Sequence, residues 1–185
     1  MSSRRADAVR SRERILRAAA RADPKNLRLN EIAREAGVGV GTVYRHFATA
    51  HALVEDLTLD ALTALGDLAR AASADPDPWH GFEAALRGVV DLHVEAGGLQ
   101  AVLLAPEDAS PEVATLKAEV LGALGDVLAR AQRAGAVRDD VTVAQVERLV
   151  CGVEHALRLG SPDDDRDVVV GVLVDGLRAR GTDSR

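Results

Sequence analysis

Apolar residues recur three or four positions apart along most of this chain, the period of a helix that buries one face. Between about 112 and 134 the stripe is Val113, Leu116, Val120, Leu124, Val127 and Ala131. Between about 143 and 159 it is Val146, Leu149, Val150, Val153 and Leu157, and between about 79 and 96 it is Phe82, Leu86, Val89, Val90 and His93. No Asn-Gly or Asp-Gly pair sits between two alternating runs, so no hairpin is predicted. All six prolines (Pro24, Pro76, Pro78, Pro106, Pro111 and Pro162) fall between periodic stretches, where a residue without an N–H and with a fixed φ starts or follows a helix. Asp77-Pro78, Ser110-Pro111 and Ser161-Pro162 read as N-cap followed by N1 proline, with Asp163, Asp164 and Asp165 at a positive helix end. Thr142 with Gln145 fits a capping box. Gly37, Gly97, Gly135, Gly160 and Gly181 each follow a periodic stretch and are expected as left-handed C′ residues. The pattern predicts an all-α chain of about nine helices, near 7–22, 29–36, 40–47, 50–73, 78–96, 99–105, 111–134, 143–159 and 162–180.

At 185 residues the chain is long enough to bury a core without covalent staples. Its single cysteine, Cys151, excludes an internal disulfide and a zinc cluster built on cysteines. Four aromatic residues, Tyr44, Phe47, Trp79 and Phe82, are too few for a platform that stacks single-stranded bases. No apolar run reaches the ~20 residues of a membrane span, and the first residues run into charge, so a cytoplasmic protein with no membrane partner is expected. The net charge of −6 hides a division. Residues 1–50 carry 11 Lys or Arg against 5 Asp or Glu, while residues 51–185 carry 12 against 24. One end is thus suited to a polyanion and the other is not.

The basic end holds the most informative segment, Leu29 to Phe47. Ile32, Ala33 and Ala36 form the inner face of one short helix, Gly37 permits a sharp turn, and Val38, Val43 and Phe47 form the inner face of the next. Ala33 is small where the two helices approach. Left outside on the second helix are Val40, Gly41, Thr42, Tyr44, Arg45 and His46. A short, uncluttered start followed by hydrogen-bonding side chains suits the ~12 Å major groove.

The runs Arg14-Ile-Leu-Arg-Ala-Ala19, Asn30-Glu-Ile-Ala-Arg-Glu-Ala-Gly-Val38 and Gly41-Thr-Val-Tyr-Arg-His-Phe47, followed by Ala52-Leu53, resemble the DNA-binding domain of TetR-family transcriptional regulators. The remainder, with Asp75-Pro-Asp-Pro-Trp79 and Ala131-Gln-Arg-Ala-Gly-Ala-Val137, is similar to the SbtR-like subgroup. The resemblance implies an N-terminal helix-turn-helix domain over 1–50, a fourth helix from about 50 as connector, and a C-terminal helical domain over 51–185 that binds an effector and dimerises. It implies phosphate contacts by Thr42, Tyr44 and His46, Thr49 as cap of the fourth helix, and Val40, Gly41 and Arg45 nearest the base edges. Arg4, Arg5 and Arg10 are expected to neutralise phosphates or reach a minor groove. The chain also departs from the family pattern. Gly39 replaces a Ser or Thr cap, at a cost of only a few tenths of a kcal/mol. Val40 offers apolar contact alone, and Arg28 replaces a capping Thr with a phosphate-seeking cation. Ala50, with His51 beside it, replaces a lysine.

In the acidic remainder, small residues interrupt the last two helices. Gly152, Ala156, Val169, Val172, Leu173 and Gly176 are therefore expected at an interface between two copies, because glycine inside a helix costs ~1 kcal/mol against alanine and close helix approach is a reason to keep it. Trp79, Arg87, His93, Glu154 and His155 lie on or beside apolar stripes and are the candidate effector contacts of a mostly apolar pocket. No catalytic motif is found, and no metal or cofactor is expected: His-Glu-x-x-His, Gly-x-Ser-x-Gly, phosphate-loop and dinucleotide fingerprints are all missing from the sequence. The reading is a homodimeric repressor that binds a (pseudo)palindromic double-stranded operator and is released by a small-molecule effector. The alternatives are an activator or ligand-independent regulator of the same fold, and a ligand-binding or enzymatic helical protein whose helix-turn-helix is only structural.

Overall fold

The computed structural model describes residues 2–160 and 162–179, with the side chains of 2–5, 25 and 162–165 left aside. The expected cap at Ser161, the carboxylates of Asp163, Asp164 and Asp165, the stop at Gly181 and the side chains of Arg4 and Arg5 lie outside the described residues. The described chain is helical: α1 Ser2–Ala19, α2 Leu29–Ala36, α3 Val40–His46, α4 Ala50–Ala74, α5 Pro78–Ala96, α6 Leu99–Leu103, α7 Pro111–Arg133, α8 Val143–Leu159 and α9 Pro162–Leu177. Among the described residues the one extended pairing is an isolated antiparallel bridge, Val137 with Arg178. The first helix starts and ends earlier than the periodicity implied, and a 3₁₀ turn at Pro24–Asn26 follows it.

The expected helix starts have their predicted chemistry. Asp77 Oδ1 accepts from the Trp79 N–H at 2.8 Å, and Ser110 Oγ accepts from the Val113 N–H at 3.1 Å. Thr142 and Gln145 exchange both bonds of a capping box. Among the predicted stops, Gly37, Gly97 and Gly135 have positive φ, but Gly160 is extended at φ −91°, ψ −171°. It ends α8 with a backbone bond to Ala156 O rather than with a left-handed residue.

Packing divides the chain into two units, residues 1–60 with 96–114, and residues 61–95 with 115–185. The packing boundary falls within α4, after residue 60, and the segment 96–114 returns to the first unit. The reason lies in the return segment: the buried Glu55 carboxylate accepts the Ala109 N–H, and a Cβ on Gly98 would fall 2.9 Å from Pro24 and 3.1 Å from Val54. In the first unit α1 packs on α2 and α3, and α2 on α3, around Ile15, Ile32, Ala33, Val43, Phe47 and Leu53. Each buried aliphatic side chain of this set removes surface from water to the extent of about 1.5–3 kcal/mol.

In the second unit α8 packs on α9. The Arg130 guanidinium donates to the Ala72 carbonyl at 3.0 Å and so ties α7 to the end of α4. The last residues lie beside the turn after α7: Arg138 N–H bonds to Leu177 O and Ala179 N–H to Ala136 O, both at 3.0 Å. This pairing lays the Arg178 guanidinium over the Trp79 ring, 4.0 Å from its centre. The α5 stripe is buried as predicted; of the expected α8 stripe Val150 and Leu157 are buried, Val146 and Val153 are half-buried, and Leu149 is exposed. The α8 helix buries Glu147, Val150, Cys151, Glu154 and Leu157 and leaves Leu149 46% exposed. Glu147 and Glu154 extend the buried face beyond the apolar stripe, which an apolar period does not reveal.

Candidate functional site

The turn between α2 and α3 rests on Gly37, which takes φ 61° and ψ 39° and returns its N–H to Ala33 O and Arg34 O. A β-carbon there would be strained by the backbone and would sit 2.7 Å from Arg14 Nη2, which donates to the Gly37 carbonyl at 2.8 Å. Sequence reasoning missed Arg14 as the clamp of this turn, because its partner is a backbone carbonyl that no side-chain pattern reveals. With α3 seated by Val43 and Phe47, its other face is open. Val40 is 44% and Tyr44 51% exposed, Gly41 and Arg45 are exposed, and Thr42 and His46 are half-buried. Arg45 folds back along its own helix, donating to Gly41 O at 3.2 Å and Thr42 Oγ1 at 2.9 Å. These bonds hold the guanidinium at the start of α3, beside Val40 and Gly41 in sequence.

Gly39 precedes α3 in an extended conformation with no side-chain cap, as its residue type requires. Thr49 Oγ1 accepts from the Ala52 N–H at 3.0 Å, so it does cap α4. Arg28 precedes α2 without a cap bond and stands exposed 3.7 Å from Glu31. Arg10 is exposed on α1 and pairs with Asp7. His51 is placed otherwise than an outward contact would be: it is half-buried, its Nε2 3.0 Å from the buried Glu55 carboxylate.

The second unit contains a small apolar cavity of about 40 Å³ that is partly open to solvent. Its walls are Phe82, Leu86 and Val89 of α5, Leu124 and Val127 of α7, and Val143, Val146 and Val150 at α8, with smaller neighbours. None of the five expected effector contacts is among its lining residues. Trp79 lies half-buried beneath Arg178, and Arg87 pairs with Glu83 at 2.9 Å. Glu154 is buried and accepts from Arg158 Nε at 2.8 Å, and His155 is exposed. His93 is buried in a polar cluster, with Nδ1 donating to Val89 O at 2.9 Å and Nε2 3.0 Å from Glu147 Oε1. Burial opposes its charged form, but hydrogen bonds with Cys151 and Glu147 and the Glu147 charge outweigh that and lift its pKa from 6.5 to about 10. The search for polar residues on apolar stripes thus located a core cluster, while the cavity beside it is lined by the stripe itself.

On α8 and α9, Gly152, Ala156 and Gly176 are exposed, and a β-carbon on Gly152, Gly171 or Gly176 would meet nothing within 4 Å. Val172 is 69% exposed and Val169 half-buried. Leu173 departs from the expectation: it is buried in this chain's own packing and is therefore not on the outward face.

Among the described residues no helix is long and apolar enough to cross a membrane. Residues 14–57 match the model of bacterial regulatory proteins of the TetR family, and residues 77–179 match the SbtR-like transcriptional regulator C-terminal domain. A TetR transcriptional regulator from Streptomyces coelicolor is 28% identical, with 92% of this chain and 99% of that one covered at a TM-score of 0.54. A TetR regulatory protein from Mycobacterium vanbaalenii is 36% identical over 94% and 98% of the two chains, with a TM-score of 0.48. The regulator AibR, solved with isovaleryl coenzyme A and operator DNA, shares the fold at a TM-score of 0.65 and 16% identity, over 92% and 100% of the chains. Among curated proteins none matches the chain.

Proposed function

This chain belongs to the TetR family of bacterial regulatory proteins, with an SbtR-like C-terminal domain, and from that premise we propose that it is a homodimeric, operator-binding repressor released by a small apolar ligand. The observation that carries the reading is the open face of α3, where Val40, Tyr44 and Arg45 stand exposed on a helix whose opposite face is buried. Tyr44, Thr42 and His46 supply hydrogen bonds to phosphates, which fix register, and Val40, Gly41 and Arg45 meet base edges, which specify sequence. Arg28, Gly39, Thr49 and, less directly placed, His51 frame this face. Two copies joined through the outer face of α8 and α9 read two half-sites one turn of DNA apart, about 34–36 Å. Leu149, Val168 and Val172 give that face apolar area, and Gly152, Ala156 and Gly176 leave room for close approach.

The cavity of α5, α7 and α8 is the seat for the effector. Its apolar walls select an aliphatic or aromatic body, and at about 40 Å³ the enclosed space must widen to admit one. A ligand shifts the protein from its operator only by binding the released state more tightly, and DNA must then weaken ligand binding by the same factor.

The experiment is a mobility shift on the DNA flanking the chain's own gene. Binding should be sequence-selective and weaken steeply between about 50 and 200 mM salt, as counterion release requires. Failure to bind even at low salt would favour a ligand-binding protein whose helix-turn-helix is only structural.

A further inference from the structure

The core of the second unit contains three metal-competent donors that the proposed regulation does not use. His93 on α5 and Glu147 and Cys151 on α8 are all buried, and their donor atoms lie within 4.8 Å of one another. Glu147 and Cys151 are four residues apart, so both project from one side of α8 toward His93. The separations are 3.0 Å from His93 Nε2 to Glu147 Oε1 and 3.9 Å from Cys151 Sγ to the same oxygen. A tetrahedral zinc bonded to nitrogen, oxygen and sulfur at about 2.0, 2.1 and 2.3 Å holds its donors about 3.3–3.7 Å apart. The observed separations bracket that range, so small torsions of the side chains would accommodate the ion.

A further feature points the same way. The His93 Nδ1–H bond to Val89 O fixes the ring and leaves Nε2 as the nitrogen facing α8, the outer bond that metal-ligating histidines make. On the same face of α8, one turn past Cys151, Glu154 is 97% buried by its 3% exposure and its Oε2 has no hydrogen-bond partner. Its other oxygen accepts from Arg158, and the carboxylate is not one of the three donors that lie together, so a water would take the fourth position.

We propose that His93 Nε2, a Glu147 carboxylate oxygen and Cys151 Sγ bind one zinc-class divalent cation between α5 and α8. The thiolate and imidazole favour zinc or cobalt over magnesium and calcium. Binding replaces two protons, the one shared between His93 and Glu147 and the one on the Cys151 thiol, with one dication. The buried cluster therefore keeps its total charge, and neither state buries an uncompensated ion. Because Val89 on α5 and Val146 and Val150 on α8 line the cavity, the ion would also fix the spacing of two of its walls.

The test titrates Co²⁺ into the full-length protein after chelator treatment. Cys151 is the sole cysteine, so a near-ultraviolet thiolate-to-cobalt band reports this site and no other. The band should saturate at one Co²⁺ per chain, disappear on addition of Zn²⁺, and be absent in Cys151→Ser. Glu147→Gln should weaken binding by about tenfold or more, and His80→Ala, an exposed histidine away from the cluster, should leave it unchanged. If the core variants fail to fold by circular dichroism, a zinc-induced rise in the melting temperature of the native protein, reversed by chelator, supports the site. No band and no thermal shift in millimolar Co²⁺ or Zn²⁺ would overturn it, as would a band undiminished in folded Glu147→Gln and His93→Gln.

Discussion

The helix-turn-helix and the pair α8 and α9 relate burial to polarity in opposite ways. In α2 and α3 the apolar residues face in and the polar ones face out: Ile32, Ala33, Val43 and Phe47 are buried, while Tyr44 and Arg45 are exposed. In α8 and α9 the order is partly inverted. Glu147 and Glu154 are buried, and Leu149, Val168 and Val172 lie outside. A surface meant for a polyanion looks like an ordinary protein surface, so only its motif and charge distinguish it. The face proposed for a second copy leaves apolar side chains without partners in their own chain, and that mismatch is what singles it out.

That comparison can be broken by substitution. The largest effect is expected inside. His93→Leu leaves the Glu147 carboxylate buried and unpaired, which should cost about 3–5 kcal/mol in denaturant unfolding. The double variant His93→Leu, Glu147→Leu should recover much of that loss, since removing both partners strands no charge. If the double variant is as unstable as the single one, the buried pair is not what the core depends on.

Gly176→Leu should act between copies. A β-carbon there meets nothing in its own chain, so the monomer should fold normally. Overpacking against a partner costs about 1–3 kcal/mol in each symmetric copy. Sedimentation should then show monomers where the native protein is dimeric, with operator affinity reduced alongside. An undisturbed dimer would place the interface away from this face.

Smaller effects are expected on α3. Arg45→Ala should change preference at one or two base pairs by about 1–3 kcal/mol, whereas Tyr44→Ala should weaken all sequences alike by about 1 kcal/mol. Competition binding against single-base operator variants separates the two patterns. The smallest change is Gly39→Ser, which adds a side-chain cap that α3 lacks. It should stabilise by a few tenths of a kcal/mol in thermal unfolding.

Much of this was legible before the structure. The helix starts at Pro78, Pro111 and Val143 follow from local cap chemistry, which a sequence displays directly. The helix-turn-helix was legible because its two faces are consistent in polarity over a short span. The whole buried face of α8 was not, since Glu147 and Glu154 belong to it and an apolar period does not reveal them. The effector candidates were sought as polar residues, yet His93 and Glu154 are satisfied or buried in the core and the cavity is walled by valine, leucine and phenylalanine. The Glu55 bond to Ala109 spans 54 residues, a pairing that no local pattern carries.

The central claim is that α3, in two copies, reads specific sequence in double-stranded DNA. Its most direct test is to pass a pool of genomic fragments over the purified full-length protein and sequence those retained at moderate salt. The account predicts a small set of enriched sites with an inverted repeat whose half-sites lie about one helical turn, 34–36 Å, apart, and loss of that enrichment in Arg45→Ala. Retention of fragments in proportion to their length, unchanged by that substitution, would contradict it.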